Sequence, residues 1–510
     1  MDTDYLIAGA GSAGCVLAER LSADGHTRVT LVEAGDADPE RAPELRVPLL
    51  FPRAFGGPAD WGFQTVPQPG LDGRVIPVPR GRGLGGSSAI NAQLWLRGHH
   101  SDYDQWSAAG LDGWGYADVA PCFDRAESQL RLAGLRYPLP VTADFISACA
   151  QLGYAPAAER QEGYALARVT HRDGLRWSSA NGYLWSAMDR PNLTVLTGVQ
   201  ARRVLFEDNR ACGIELATGQ GIAQVRAARE VILAAGAVGS PQLLMLSGIG
   251  PARHLAEHGI PVLVDAPEVG QNLTDHLVVP LTFAGVGFES PAGNAGQQEI
   301  EQYLKDRSGT LGSIGSEALL FLRTRAELEA PDVEIAQFVT PYGEHQRQAR
   351  HGLALGVIVL RPRSRGSLTL RSADPGDAPL LDPGYLSDPD GHDLHTAIAG
   401  VRRAQQIFRQ PVFAKWRAEP LTDGAMTSTD AGITRYIRRT GLGIHHLVGT
   451  CRMGSDPQAA LDERCRVRGV RGLRVVDAAA MPTMVSAHTH GPVTMIAERA
   501  TELIIADRDR

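Results

Sequence analysis

The sequence predicts an α/β protein whose opening segment is part of a doubly wound dinucleotide-binding domain, with enough chain left for a second domain. Three observations carry that reading. A strand–turn–helix–strand pattern opens the chain, with glycines at 9, 11 and 14 and a carboxylate at 33. A second strand–turn–helix pattern runs over 231–250. Segment 353–370 has alternating, strand-like character and lies far along the chain from both.

The first pattern is complete. Tyr5-Leu6-Ile7-Ala8 is a short apolar run suited to a buried parallel strand. Gly9-Ala10-Gly11-Ser12-Ala13-Gly14 follows, then a stretch of helical periodicity from Cys15 to Leu21. A second strand, 28–32, ends at Glu33. In such a unit Gly9 permits the tight turn, Gly11 lets the backbone approach a pyrophosphate, and Gly14 lets helix and strand pack closely. The helix N-terminus offers amide donors to phosphate. Glu33 stands where an acidic residue takes ribose hydroxyls and disfavours a 2′-phosphate. This context suits FAD and NAD alike.

Two more glycine-rich segments follow. Residues 81–91 read Gly-Arg-Gly-Leu-Gly-Gly-Ser-Ser-Ala-Ile-Asn, a composition that lets backbone lie close to a flat or phosphate-bearing ligand. Residues 236–250 follow the buried run 231–235 and continue as a helix. Further strands are expected at 193–196, 203–206, 353–360 and 367–370.

At 510 residues the chain has room for two to four domains of roughly 100–200 residues. With 43% hydrophobic and 21% charged residues it is neither disordered nor a small disulfide scaffold. A net charge of −7 argues against a general nucleic-acid binder. No apolar run reaches the length of a membrane span. The acidic start, without a basic leader, and six dispersed cysteines without a CxxC point to a cytoplasmic protein with reduced, mostly buried thiols.

Taken together, the glycine-rich segments resemble the glucose–methanol–choline (GMC) oxidoreductases, FAD-dependent alcohol oxidases and dehydrogenases. Segment 81–104 looks like the family's first signature and 236–250 like its second. Other matches run in order along residues 4–505. They include Val269-Gly270-Gln271-Asn272-Leu273 with Asp275-His276, the tract Arg363 to Leu368, His446-Leu447-Val448-Gly449-Thr450, and Val475-Val476-Asp477-Ala478 before Met481-Pro482. The compact length and the tract before Ser87 are similar to pyridoxine 4-oxidase members.

The resemblance implies a discontinuous FAD domain, 1–135, 191–277 and 444–510. A substrate domain built on an antiparallel sheet with helices would take 136–190 and 278–443. It implies that Gly9, Gly11, Ser12, Ala13 and Gly14 hold the pyrophosphate, with Glu33 and Ala34 at the adenosine. Gly86, Ser87, Asn91 and Leu94 would lie along the flavin and ribityl chain. Ala201 would approach the adenine, and Asp477 and Ala478 the diphosphate and ribityl region. Some members bond a histidine to the flavin; Ile90 stands at that position, so dissociable FAD is expected.

The family's His-Pro-x-Gly-Thr pattern matches at His446, with Leu447 replacing proline, and makes His446 the general base. Histidine's ordinary pKa near 6.5 suits it to moving a proton at neutral pH. Ala487-His488-Thr489-His490-Gly491-Pro492 resembles the segment carrying the second catalytic residue in aryl-alcohol oxidases, which implies His488. His445 and His490 are candidate substrate contacts. A zinc or copper site from these four imidazoles lacks a carboxylate or cysteine spacing to complete it, so no metal is expected. His99 and His100 are expected at the surface or a domain edge, and Arg452 and Glu498 as structural ion-pair partners.

The expected reaction is oxidation of a primary alcohol, aromatic or heteroaromatic, to its aldehyde, with hydride passing to flavin N5 and oxygen or another electron acceptor completing the cycle. A flavin-containing hydroxynitrile lyase of the same fold is the main alternative. A light-driven decarboxylase and a non-enzymatic interaction protein are the others. The sequence does not specify the alcohol, the acceptor or the oligomeric state.

Overall fold

The computed structural model describes residues 2–35, 42–157, 161–284, 290, 295–343, 351–416 and 419–508. Two seven-stranded sheets organise it. In the first, strand Asp2–Ala8 lies between Val29–Val32 and Gly221–Leu233, parallel to both. Leu193–Leu196 extends the parallel set beyond Val29–Val32, and Leu473–Val475 pairs in parallel with the far end of Gly221–Leu233. The opening strand's apolar run is buried, as a central parallel strand requires.

Gly221–Leu233 spans two environments. Its first half pairs antiparallel with Arg210–Thr218, which in turn pairs with Gln200–Glu207, and much of it is exposed. Its last three residues, Val231-Ile232-Leu233, are fully buried beside Asp2–Ala8. Helix Ser12–Leu21 packs against the long C-terminal helix His490–Arg508. The buried Glu498 ties the two together, accepting from Arg20 at 2.8 Å and from Tyr183 at 2.9 Å.

The second sheet is antiparallel throughout. Its order is Glu419–Pro420, Leu277–Ala284, Gly352–Val359, Val333–Phe338, Ser316–Leu322 and Gly163–Leu166, with Leu442–Gly443 also on Leu277–Ala284. The alternating character expected of 353–360 does not become alternating exposure: every residue of Gly352–Val359 is buried. Helix His392–Phe408 covers one face, and the other packs with Leu94 and Ile444 toward the interior.

Helix Gly236–Leu246 contains Pro241, which has no N–H to offer the carbonyl of Ala237 one turn earlier. The Thr450 hydroxyl donates to that carbonyl at 2.7 Å instead. His99 is not at the surface. It is buried and caps helix His100–Ala108, accepting from Ser101 N at 3.2 Å while Asp102 accepts from His99 N at 3.2 Å. Arg452 and Glu498 both form ion pairs, but with other residues: Arg452 with Glu268 and Asp456, Glu498 with Arg20 and Arg125. All six cysteines are unpaired.

Candidate active site

A cavity of about 380 Å³ runs between the two sheets. Its lining includes Gly9, Gly11, Ser12, Ala13, Glu33, Ala34, Gly86, Ser87, Asn91, Leu94, Ala201, Asp477, Ala478, His445, His446, His488 and His490. The sequence thus brings all but one of its expected site residues to one space. Gly14 is the exception. A Cβ there would meet the carbonyl oxygen of Gly9 at 1.8 Å, so this glycine packs helix to turn beneath the cavity wall.

One end is a backbone cradle. Gly9 has φ of +104°, and a Cβ on it would fall 2.5 Å from the Ala234 carbonyl oxygen. Gly86, at φ of +51°, would place a Cβ 2.6 Å from the Cα of Gly11. Helix Ser12–Leu21 begins here with no side-chain cap and no acidic residue in its first turn. Its leading amides are left for an anion. Glu33 Oε1 accepts from the amides of Gly35 and Gly83, each at 2.9 Å, and Oε2 from Ala10 at 2.9 Å. Oε2 therefore keeps one acceptor position at the cavity wall. Burial raises the Glu33 pKa, against the pull of these amides. Asp477 is likewise committed to protein donors: Gly236 N at 2.8 Å, Ser240 Oγ at 2.6 Å and Ala479 N at 2.8 Å. Ser87 Oγ accepts from Gly81 N at 3.1 Å. Glycine cradle, uncapped helix end and strand-end carboxylate fit a dinucleotide.

The histidines gather at the other end. His446 and His488 meet edge-on with ring centroids 4.7 Å apart. His446 follows strand Leu442–Gly443, and His488 precedes the C-terminal helix. The backbone at His446 is held hard: its N–H donates to Asp275 Oδ1 at 2.6 Å, and Tyr385 Oη donates to Asp275 Oδ2 at 2.6 Å. His445 sits at φ of +66°, a left-handed conformation costly for a side chain with a Cβ. Its carbonyl accepts from Arg80 and its ring meets Phe55 edge-on at 5.8 Å.

Two partners were not legible as functional in the sequence. His276 Nδ1 lies 2.9 Å from His446 Nδ1, and His276 Nε2 lies 3.0 Å from the Leu360 carbonyl. A carbonyl only accepts, so His276 Nε2 carries a hydrogen. Burial pushes His276 down to about 3, so its Nδ1 is bare and accepts. His446 Nδ1 must then donate. Burial, followed by His488 and His276, holds His446 well below the ordinary histidine value. Neutral His446 thus keeps its lone pair on Nε2, which has no protein partner among the described residues. The second partner is Glu334 on strand Val333–Phe338. It is 1% exposed, and its Oε1 accepts from His488 Nε2 at 3.0 Å. The other oxygen, Oε2, is buried with no partner among the described residues. The Asp-His motif offered a hint of His276; nothing in the strand marked Glu334.

His490 turns away from the pair. Its Nε2 lies 3.0 Å from Ser179 Oγ, its ring meets Trp95 edge-on, and burial then Arg176 push it down to about 4. Around His446 the walls are aromatic: Phe51, Phe55, Phe338 and Tyr342, the last two stacked at 4.4 Å. Among the described residues, the carboxylates lining the cavity are Glu33, Asp377 and Asp477. The Asp477 carboxylate is tied to the helix turn at Gly236, and the Asp377 carboxylate accepts from Ser372 Oγ. None of these three stands beside the histidine pair; the carboxylate there is the buried Glu334, bonded to His488.

Comparison with known proteins agrees with this arrangement. Two GMC oxidoreductase family models match residues 3–278 and 362–497. The chain is 40% identical to an alcohol dehydrogenase [acceptor] of Pseudomonas putida and 38% identical to an oxygen-dependent choline dehydrogenase of Brucella canis. Each alignment covers 99% of this chain and 96% of the relative. Among solved structures, pyridoxine 4-oxidase from Mesorbium loti superposes with a TM-score of 0.89 at 31% identity, covering 98% of both chains. By motif order, sheet architecture and these matches, the chain belongs to the GMC oxidoreductase family.

Proposed function

We propose that this protein oxidises an aromatic or heteroaromatic primary alcohol to the aldehyde, with His446 as general base, His488 as its partner and non-covalently held FAD. The observation that carries the reading is the contact chain from the Leu360 carbonyl through His276 to His446 Nδ1, which leaves His446 Nε2 without a protein partner among the described residues. The cradle of Gly9, Gly11, Ser12, Ala13 and Gly86 would hold the diphosphate, with Glu33 and Ala34 at the ribose and Ala201 toward the adenine. Ser87, Asn91, Leu94, Asp477 and Ala478 would line the flavin end. FAD, when bound, supplies the hydride acceptor.

The chain's own residues supply the rest. His446 Nε2 takes the hydroxyl proton. His488, fixed by Glu334, gives the substrate oxygen a second neighbour and limits its orientation. The aromatic walls keep water out and offer flat surfaces to a ring. Ile90, buried against Leu45, Ala54 and Ala59, has no nucleophile for a covalent flavin link. The relatives include an oxygen-dependent choline dehydrogenase and an alcohol dehydrogenase [acceptor], so oxygen or another electron acceptor would complete the cycle.

The test is to mix the flavin-loaded protein with benzyl-type, pyridyl and choline alcohols without oxygen. Loss of the flavin band with one aldehyde formed per flavin, by an aromatic alcohol before choline, is the expected result. A flavin band untouched by all of them, or bleached by choline alone, would overturn the reading.

A further inference from the structure

Arg176 is a buried cation that the reaction so far leaves unused. It lies on the short strand pair His171–Arg172 and Leu175–Arg176 and is 4% exposed. Its Nη1 donates to the Ser88 carbonyl at 3.1 Å and to Asn91 Oδ1 at 2.8 Å. Its Nε and Nη2 are buried with no hydrogen-bond partner, and it forms no ion pair among the described residues. The two imidazoles nearest it electrostatically do not compensate it. His171 and His490 are pushed down to about 3 and about 4, by burial first and by Arg176 itself second, so both are neutral. A buried guanidinium without a counter-charge is costly, and a negative charge on a bound ligand would offset it.

Its neighbours indicate where that charge would sit. Asn91 Oδ1 accepts from both Gln93 N, at 3.0 Å, and Arg176 Nη1. Both lone pairs are used, so the amide cannot flip, and Nδ2 is the end left open to the cavity that Asn91 lines. Ser88 lines the same wall and accepts from Ser179 N at 2.9 Å, and Ser179 Oγ bonds His490, two residues after His488. Arg176 therefore stands behind the histidine end of the cavity, not behind the adenosine end marked by Glu33.

We propose that Arg176 is the fixed positive charge that stabilises the reduced cofactor, acting across Asn91 and Ser88, with Asn91 Nδ2 as the donor it polarises. This rests on the FAD reading above. Such a group would add a permanent positive charge to the one that His446 acquires during the step. The alcohol's C–H bond breaks and its hydride reduces the cofactor by two electrons, adding one negative charge there. The hydroxyl proton goes to His446 Nε2, and the aldehyde leaves. Arg176 acts on the equilibrium between oxidised and reduced cofactor and touches neither substrate nor proton; it is a positioning residue.

The experiment compares flavin-loaded wild type, Arg176→Lys and Arg176→Gln. Lysine keeps the charge, and glutamine keeps a donor for Asn91 without it. The two-electron midpoint potential and the affinity of the oxidised protein for sulfite are measured, neither of which requires turnover. We expect R176K to stay near wild type. We expect R176Q to favour the oxidised form by about tenfold, equal to a potential lower by about 30 mV, and to bind sulfite correspondingly more weakly. R176K and R176Q with the same potential and sulfite affinity, both holding FAD, would overturn the proposal alone. A wild-type chain that takes up no FAD would overturn the cofactor assignment and this proposal with it.

Discussion

At the scale of single residues, the site depends on two histidines held in different ways. His446 is tied through Nδ1 to a neutral imidazole, and His488 through Nε2 to a carboxylate. The depressed pKa of His446 sets a pH expectation. A lowered value means the neutral base is already populated at neutral pH and persists as pH falls through about 6.5, the ordinary histidine value. The rate of anaerobic flavin reduction should therefore stay level through that range and fall only in stronger acid. A rate that halves at or above the ordinary value would contradict it. Glu334→Leu leaves the His488 Nε2–H buried without an acceptor. We expect flavin reduction to slow by about tenfold, the order of one lost buried hydrogen bond, with FAD content unchanged; stopped-flow absorbance and flavin-to-protein ratio measure the two. The histidine pair was legible because its residues sit in contiguous motifs. His276 and Glu334 reach their partners across 170 and 154 residues, and local sequence does not encode such contacts.

At the scale of elements, turns matter more than helices or strands. The opening strand, helix and second strand form within a few residues of where periodicity placed them, because a central parallel strand and a helix on a glycine turn have strong local signatures. Strand Gly352–Val359 also forms, yet its burial on both faces depends on a helix some forty residues on, so its pattern could not reveal what covers it. In helix Gly236–Leu246, Thr450 supplies the donor that Pro241 lacks, a link between segment 236–250 and the His-x-x-Gly-Thr motif. Gly86 meets Gly11 closely within the cradle. Gly86→Ala combines a positive φ with a Cβ pressed on backbone. We expect it to destabilise the protein by about 1–3 kcal/mol and to lower FAD retention. Thermal unfolding with and without added FAD checks this, and wild-type values in both would contradict it.

At the scale of the whole molecule, the cavity belongs to neither sheet alone. Its cradle comes from the parallel sheet's turns, while Phe338 and Tyr342 come from the antiparallel sheet's face and the residues that follow it. A ligand that fills this space binds the folded chain and not the unfolded one, so it must stabilise the fold, by about 2.7 kcal/mol at a hundredfold excess over its dissociation constant. With Ile90 in the lining, acid or heat denaturation should release all flavin into solution; flavin retained on the precipitated protein would contradict non-covalent binding. No described helix is long and apolar enough to cross a membrane.

The central claim is that His446 Nε2 takes the substrate proton. The most direct measurement is the rate of flavin reduction by the preferred alcohol, without oxygen, in His446→Ala against wild type at matched FAD occupancy. The account predicts a fall by a factor on the order of 10² or more with FAD still bound. An unchanged rate in a fully loaded variant would contradict it.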